Sequence, residues 1–119
     1  MREIHAEIEI GACAERVWQV LTDFAAYPEW NPFVRHIQGE LKVGARLKVH
    51  IKRANSLGMT FRALVLNAEP GRELRWRGGF PLPGLFQGEH IFLIQPSGAN
   101  SARFIQREVF TGLLVPVIL

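Results

Sequence analysis

Residues 88–110 read GEHIFLIQPSGANSARFIQREVF, and their pairing decides the fold. The runs 88–95 and 102–110 read as β-strands, and the turn-forming PSGANS between them predicts a hairpin loop. A loop centred near Ala99 sets the register. Ile94 then faces Phe104, Phe92 faces Gln106, His90 faces Glu108 and Gly88 faces Phe110. These residues share one face, because side chains on a strand alternate with period two. Phe92, Phe104 and Phe110 mark that face as inward. His90, Gln106 and Glu108 are therefore polar groups on an otherwise apolar interior surface. A buried carboxylate must be paired, or it takes up a proton. An opposed histidine meets that need and also offers a cavity a polar anchor. The plainer alternative is a half-wet structural pair near the open end of the sheet.

Upstream of the hairpin the pattern is also strand-like. Residues 73–78 (ELRWRG) alternate, with Leu74 and Trp76 inward, and Pro70-Gly71 before them is a turn signal. Residues 59–68, including Phe61, form another strand that turns apolar on both faces after Arg62. Residues 45–53 place Leu47, Val49 and Ile51 inward and Arg46, Lys48, His50 and Lys52 outward. Residues 33–40 make one more strand. The segment 79–87 (GFPLPGLFQ) breaks the pattern, since Pro81 and Pro83 cannot sit in a central strand. Its Phe80, Leu82, Leu85 and Phe86 suggest a gate over an opening, or a simple crossover.

At the other end, residues 2–10 alternate cleanly. Ile4, Ala6, Ile8 and Ile10 fall on one face and Glu3, His5, Glu7 and Glu9 on the other, as in a half-buried strand. Gly11 breaks it. Residues 14–22 (AERVWQVLT) predict a short helix, with Val17 and Leu21 four apart and Trp18 beside them. The segment 23–33, DFAAYPEWNPF, carries two prolines and four aromatics and reads as a short helical or irregular plug. Trp30, in a loop between Pro28 and Pro32, is placed at the mouth of a cavity. Trp18 reads as core, since buried aromatics carry much of a small core's area.

These elements amount to one domain over residues 1–119, a length that can bury a core without staples. The apolar fraction of 48% agrees. A single cysteine, Cys13, rules out an internal disulfide and points to a reducing cytoplasm. No run is long and apolar enough to span a bilayer, and the charged, alternating start is not a signal peptide. The net charge of +3 comes from arginines such as Arg35, Arg46, Arg62, Arg75 and Arg103, which are scattered along strands as on solvated faces. A nucleic-acid surface needs clustering, so no nucleic-acid partner is expected. His5, His36, His50 and His90 lack ligand spacing, and no phosphate loop is present, so no metal or other cofactor is expected.

The element order resembles the START-like (SRPBCC, helix-grip) superfamily, and most closely its polyketide cyclase/dehydrase-type members. Ala14-Glu15-Arg16-Val17-Trp18 is similar to the family's A-x-x-V-W helix start. Asp23-Phe24 through Tyr27-Pro28-Glu29-Trp30-Asn31-Pro32 is similar to its D-x-x-x-Y-P-x-W-N-P plug. Val43-Gly44, Glu73-Leu74-Arg75-Trp76, Gly88-Glu89-His90 and Glu108 to Leu114 follow in the family's order. The resemblance implies an α+β fold: a curved seven-stranded antiparallel sheet, two short helices after the first strand, and a long C-terminal helix gripped by the sheet. Only the first residues of that lid, GLLVPVIL, are present. It also implies a hydrophobic cavity for lipids, polyketides or other apolar molecules. Some members are enzymes, and fold alone does not choose.

The expected ligand-facing set is Trp30, Phe33, Leu47, Val49, Ile51, Phe61, Trp76, Phe80, Phe86, His90, Phe92, Phe104, Gln106, Glu108 and Phe110. Three functions are compatible with it. The first is a carrier or sensor of a small apolar molecule, without catalysis. The second is a cyclase- or dehydratase-like enzyme with His90 and Glu108 as acid and base. The third is a chaperone-associated interaction protein. An apolar sheet face cannot stay open to water cheaply. The uncovered groove therefore predicts either a homodimer across it or a chain that continues beyond Leu119 with an amphipathic helix.

Overall fold

The computed structural model describes residues 2–30, 34–52, 58–79, 84 and 86–113, with the backbone alone at Trp30 and Met59. Its first strand, β1 (Arg2–Ile10), leads into α1 (Ala14–Thr22), a 3₁₀ turn (Phe24–Ala26) and a single-turn α2 (Tyr27–Trp30). Six strands follow: β2 (Val34–Gln38), β3 (Arg46–Ile51), β4 (Met59–Glu69), β5 (Glu73–Gly79), β6 (Gln87–Gly98) and β7 (Ser101–Thr111). They form one curved antiparallel sheet in the order β1-β7-β6-β5-β4-β3-β2. Strands β2 to β7 are a meander of neighbours, and β1 returns to close the far edge against β7. The helical segment carries the chain from one edge of the sheet to the other.

The β6–β7 register is the one the sequence predicts, from Gly88 opposite Phe110 to Ile94 opposite Phe104. The loop is shorter than expected. Pairing continues past Pro96, a bulge takes up Ser97, and Ala99-Asn100 alone make the turn. The Ser97 hydroxyl donates to Glu9 and reaches Ser101, which anchors the bulge to β1 and β7. A second bulge, between Val65 and Asn67, re-aims β4. It explains why residues 59–68 read as apolar on both faces.

The core sits where α1 and α2 cross one end of the concave face. Ala14, Val17 and Leu21 of α1 pack with Tyr27, Ile37, Leu47, Val49, Ala63, Val65, Leu74, Ile94 and Ala102. The helix presents Val17 and Leu21 one turn apart to the sheet. Tyr27 donates its hydroxyl to the Leu21 carbonyl, which ties α2 to the end of α1, and burial pushes its phenol pKa up. Such an anchor satisfies the polar tip of an otherwise buried ring.

The convex face is solvated, as the outward charges predict, but not uniformly. Arg103 pairs with Glu7 at 2.8 Å, Arg107 with Glu3, and Arg75 with Glu89 at 3.4 Å. Ile91 and Ile105 are buried on this face between those long side chains, whose stems cover apolar surface. One expectation is corrected here. Strand β1 is not half-buried: Ile4 and Ile8 lie on the concave side as predicted but are 47% and 61% exposed. Alternation fixes which face a side chain takes, whereas burial depends on what covers that face.

Candidate functional site

Antiparallel pairing builds the site in cross-strand rows. Val65, Trp76, His90, Glu108 and Ile4 occupy one row across β4, β5, β6, β7 and β1. Leu74, Phe92, Gln106 and Ala6 occupy the next row toward the helices. Directly opposed side chains on one face lie close enough to touch. The two rows therefore deliver His90, Gln106 and Glu108 to one place.

Their contacts are specific. His90 Nδ1 lies 3.3 Å from Glu108 Oε1, and Gln106 Nε2 donates to the same oxygen at 3.0 Å. The His90 and Glu108 side chains are 22% and 21% exposed, so the pair borders open space. The His90 hydrogen bond is the largest influence holding the Glu108 carboxyl below its ordinary range. Burial opposes it, while the His90 charge and the Gln106 amide reinforce it. The Glu108 carboxylate can only accept, so His90 Nδ1 is the donor in this contact, and in the one neutral tautomer that fits it Nε2 is an acceptor. Nε2 faces the Gly88 side: a Cβ built on Gly88 would sit 3.6 Å from it.

Aromatic rings frame this polar cluster. His90 stacks on Trp76 with centroids 4.5 Å apart, and Phe61 stacks on the far side of Trp76 at 6.1 Å. Phe110 meets the His90 ring edge-on at 6.4 Å and stacks with Phe86 at 5.8 Å. Two glycines make room. A Cβ on Gly78 would lie 2.7 Å from the Phe61 ring, and one on Gly88 would lie 3.1 Å from the Phe110 ring. Toward the helices Phe92 stacks on Phe104 at 6.1 Å.

The expected ligand-facing residues divide by where they fall. Phe61, Trp76, Phe86, His90, Phe92, Phe104, Gln106, Glu108 and Phe110 gather around the polar cluster or along its flank. Ile51 lies half-buried at the β3 end of the same face. Leu47 and Val49 are 1% and 0% exposed and are spent on the core. Phe33 and Phe80, the Trp30 side chain, and the proposed gate residues Leu82 and Leu85 lie outside the described residues. One feature escaped the sequence reading. Ile10, Ala12, Val17, Val20, Leu21 and Phe104, with Arg16 at the rim, line an almost wholly apolar groove of about 330 Å³ between β1 and α1. The only sequence hint is Val20, apolar on the side of α1 turned away from Ala14.

Among the described residues, no group of three or more His, Cys, Asp or Glu side chains is placed to hold a metal ion. No described helix is long and apolar enough to cross a membrane.

Known structures share this architecture at low sequence identity. The Zhui aromatase/cyclase from a Streptomyces species superposes with a TM-score of 0.76 at 18% identity, over 92% of this chain and 67% of that one. A norcoclaurine synthase point mutant from Thalictrum flavum, in complex with a transition-state analogue, gives 0.72 at 16% identity, over 99% and 84%. The di-domain aromatase/cyclase BexL gives 0.74 at 16% identity; this chain is covered to 92% but spans only 36% of BexL. No curated protein matches the sequence significantly. The family model described as polyketide cyclase / dehydrase and lipid transport matches residues 1–118. With the fold, the row of motifs and this match in agreement, the chain belongs to the polyketide cyclase/dehydrase and lipid transport family.

Proposed function

We propose that the concave face binds a small, mostly apolar molecule that carries one polar group, and that His90, Gln106 and Glu108 hold that group. The observation that carries this reading is a carboxylate that accepts from Gln106 and lies 3.3 Å from the His90 imidazole, partly open to solvent, inside a frame of four aromatic side chains, Phe61, Trp76, Phe86 and Phe110. A site purely for hydrocarbon has no use for such a group, because desolvating it costs free energy. Flat rings on both flanks suit a planar or aromatic ligand. The apolar groove beside α1 suits an aliphatic extension of the same molecule.

The test uses displacement of an apolar fluorescent dye from the wild type and from Glu108→Gln. Ligands with a polar head should lose more affinity in the variant than a matched hydrocarbon. Equal losses for both would leave Glu108 a structural role only.

A second reading is favoured by one detail, the orientation of His90. With Nδ1 directed at Glu108, Nε2 is a base facing the Gly88 side of the concave surface. That arrangement suits proton removal from a bound substrate, with Glu108 stabilising the imidazolium that forms. It makes the protein a cyclase- or dehydratase-like enzyme acting at the same site. A site with an open polar cluster gives less support to the chaperone-associated interaction role.

A further inference from the structure

The arginines that look scattered in the sequence are sorted by strand pairing. On the convex face of β1, β7, β6 and the first half of β5, each arginine meets glutamate. On β3, β4 and the end of β5 the face carries Arg46, Lys48, Arg62 and Arg77, all exposed. Among the described residues none of these four has a carboxylate partner. Lys48 stands directly opposite Arg62, while Arg46 and Arg77 flank Leu64 from the two neighbouring strands. Like charges opposed across a strand pair destabilise the sheet, so an anion placed over them is favoured twice. The same surface is concave locally: Arg46, Thr60, Arg62, Leu64, Arg77 and Gln87 are among the residues that line a groove of about 580 Å³, which also reaches Phe61 and the Gly78-Gly79 backbone.

We propose that this groove binds a molecule bearing at least two closely spaced phosphate groups. Three guanidinium groups approach from three adjacent strands, so they span about two inter-strand spacings, roughly 10 Å. That is the scale of a compact polyphosphate. The planar donor fork of arginine matches phosphate oxygens in pairs. Gln87 supplies a further hydrogen-bonding side chain, the Thr60 hydroxyl at the groove is held by His50 Nδ1 at 2.8 Å, and Lys48 adds to the local field. The patch is bounded by the Arg75 ion pairs on one side and by His36 and Gln38 of β2 on the other. Its three arginines converge on one groove, whereas a nucleic-acid strand needs an extended track; Lys52, just past β3, alone continues the outward row. This site lies on the opposite face of the sheet from the His90–Glu108 cluster.

Calorimetric titration with inorganic tripolyphosphate tests the proposal on the whole chain, alongside flotation with phosphatidylcholine vesicles containing or lacking a phosphoinositide. Tripolyphosphate should bind with an affinity that falls as salt is raised. Arg62→Gln with Arg77→Gln should weaken it about tenfold or more. Arg103→Gln with Arg107→Gln removes the same charge from the paired half and should change it less than about threefold. If the first pair fails to fold, Arg46→Gln with Lys48→Gln replaces it with the same expectation. Binding of tripolyphosphate identifies a free phosphate compound, and binding of the phosphoinositide vesicles alone identifies a lipid headgroup; both support the site. Equal weakening in the two halves, binding of neither probe, or binding of a short RNA without tripolyphosphate overturns it.

Discussion

The imidazole of His90 lies flat against the indole of Trp76, with ring centroids 4.5 Å apart and planes within 15° of parallel. The two residues are directly opposed on β5 and β6. Trp76 is in turn backed by Phe61, so the position of His90 is set by a stack that begins two strands away. Trp76→Ala should cost about 3–5 kcal/mol in urea unfolding, the usual range for emptying a buried aromatic site. Trp76→Phe keeps a ring against His90 and should cost roughly half as much. Equal losses would mean that His90 is held by something other than the stack.

Glu108 makes stability depend on pH in a known direction. Its folded pKa is lower than its ordinary value, so its contribution is complete above that value and is lost as pH falls through the folded pKa. Glu108→Gln lacks this contribution at every pH. The stability gap between wild type and variant should therefore narrow as the pH falls through the range in which Glu108 takes up its proton. Urea midpoints over a pH series measure it. A gap that widens toward acid contradicts the assigned hydrogen bond.

Gly78 and Gly88 keep the aromatic frame in place. Gly78→Ala forces the Phe61 ring to move, since the new Cβ would sit 2.7 Å from it. The expected cost is about 1–3 kcal/mol, the range for overpacking. Gly88→Ala, with contacts of 3.1 Å and 3.2 Å to Phe110, should cost less. The order of the two unfolding midpoints checks this; the reverse order would show that Phe110 has less freedom to shift than Phe61.

Much of this was legible in the sequence, and the boundary has physical causes. The β6–β7 register could be read because a local hairpin and a strict inside–outside alternation allow one answer, and with it came the meeting of His90, Gln106 and Glu108. The convex arginine patch could not be read in the same way. Arg46, Arg62 and Arg77 are each isolated in sequence and meet only through the pairing of β3, β4 and β5. The exposure of Ile4 and Ile8 was hidden for a different reason. Their face follows from alternation, but their burial depends on a partner for the sheet. The groove beside α1 combines residues from a helix, a strand and β7, which no single periodicity joins.

That exposure carries its own prediction. Covering a large apolar side chain is worth about 1.5–3 kcal/mol. We propose that Ile4 and Ile8 are covered by a further apolar surface, and self-association of the chain is the case that can be tested directly. Light scattering should show association that rises with protein concentration. Ile4→Ser with Ile8→Ser should abolish it while leaving the unfolding midpoint nearly unchanged, since neither side chain is buried in the protomer. A wild type that stays monomeric and binds no apolar dye would contradict this.

The central claim is that the concave face takes a mostly apolar molecule with a polar group at the His90–Glu108 pair. Native mass spectrometry of the freshly purified protein tests it most directly. The account predicts a bound species of discrete mass that organic solvent removes and that is depleted in Glu108→Gln. A wild type that runs only at the mass of the bare chain, and stays so when offered planar aromatic compounds and fatty acids, would contradict it.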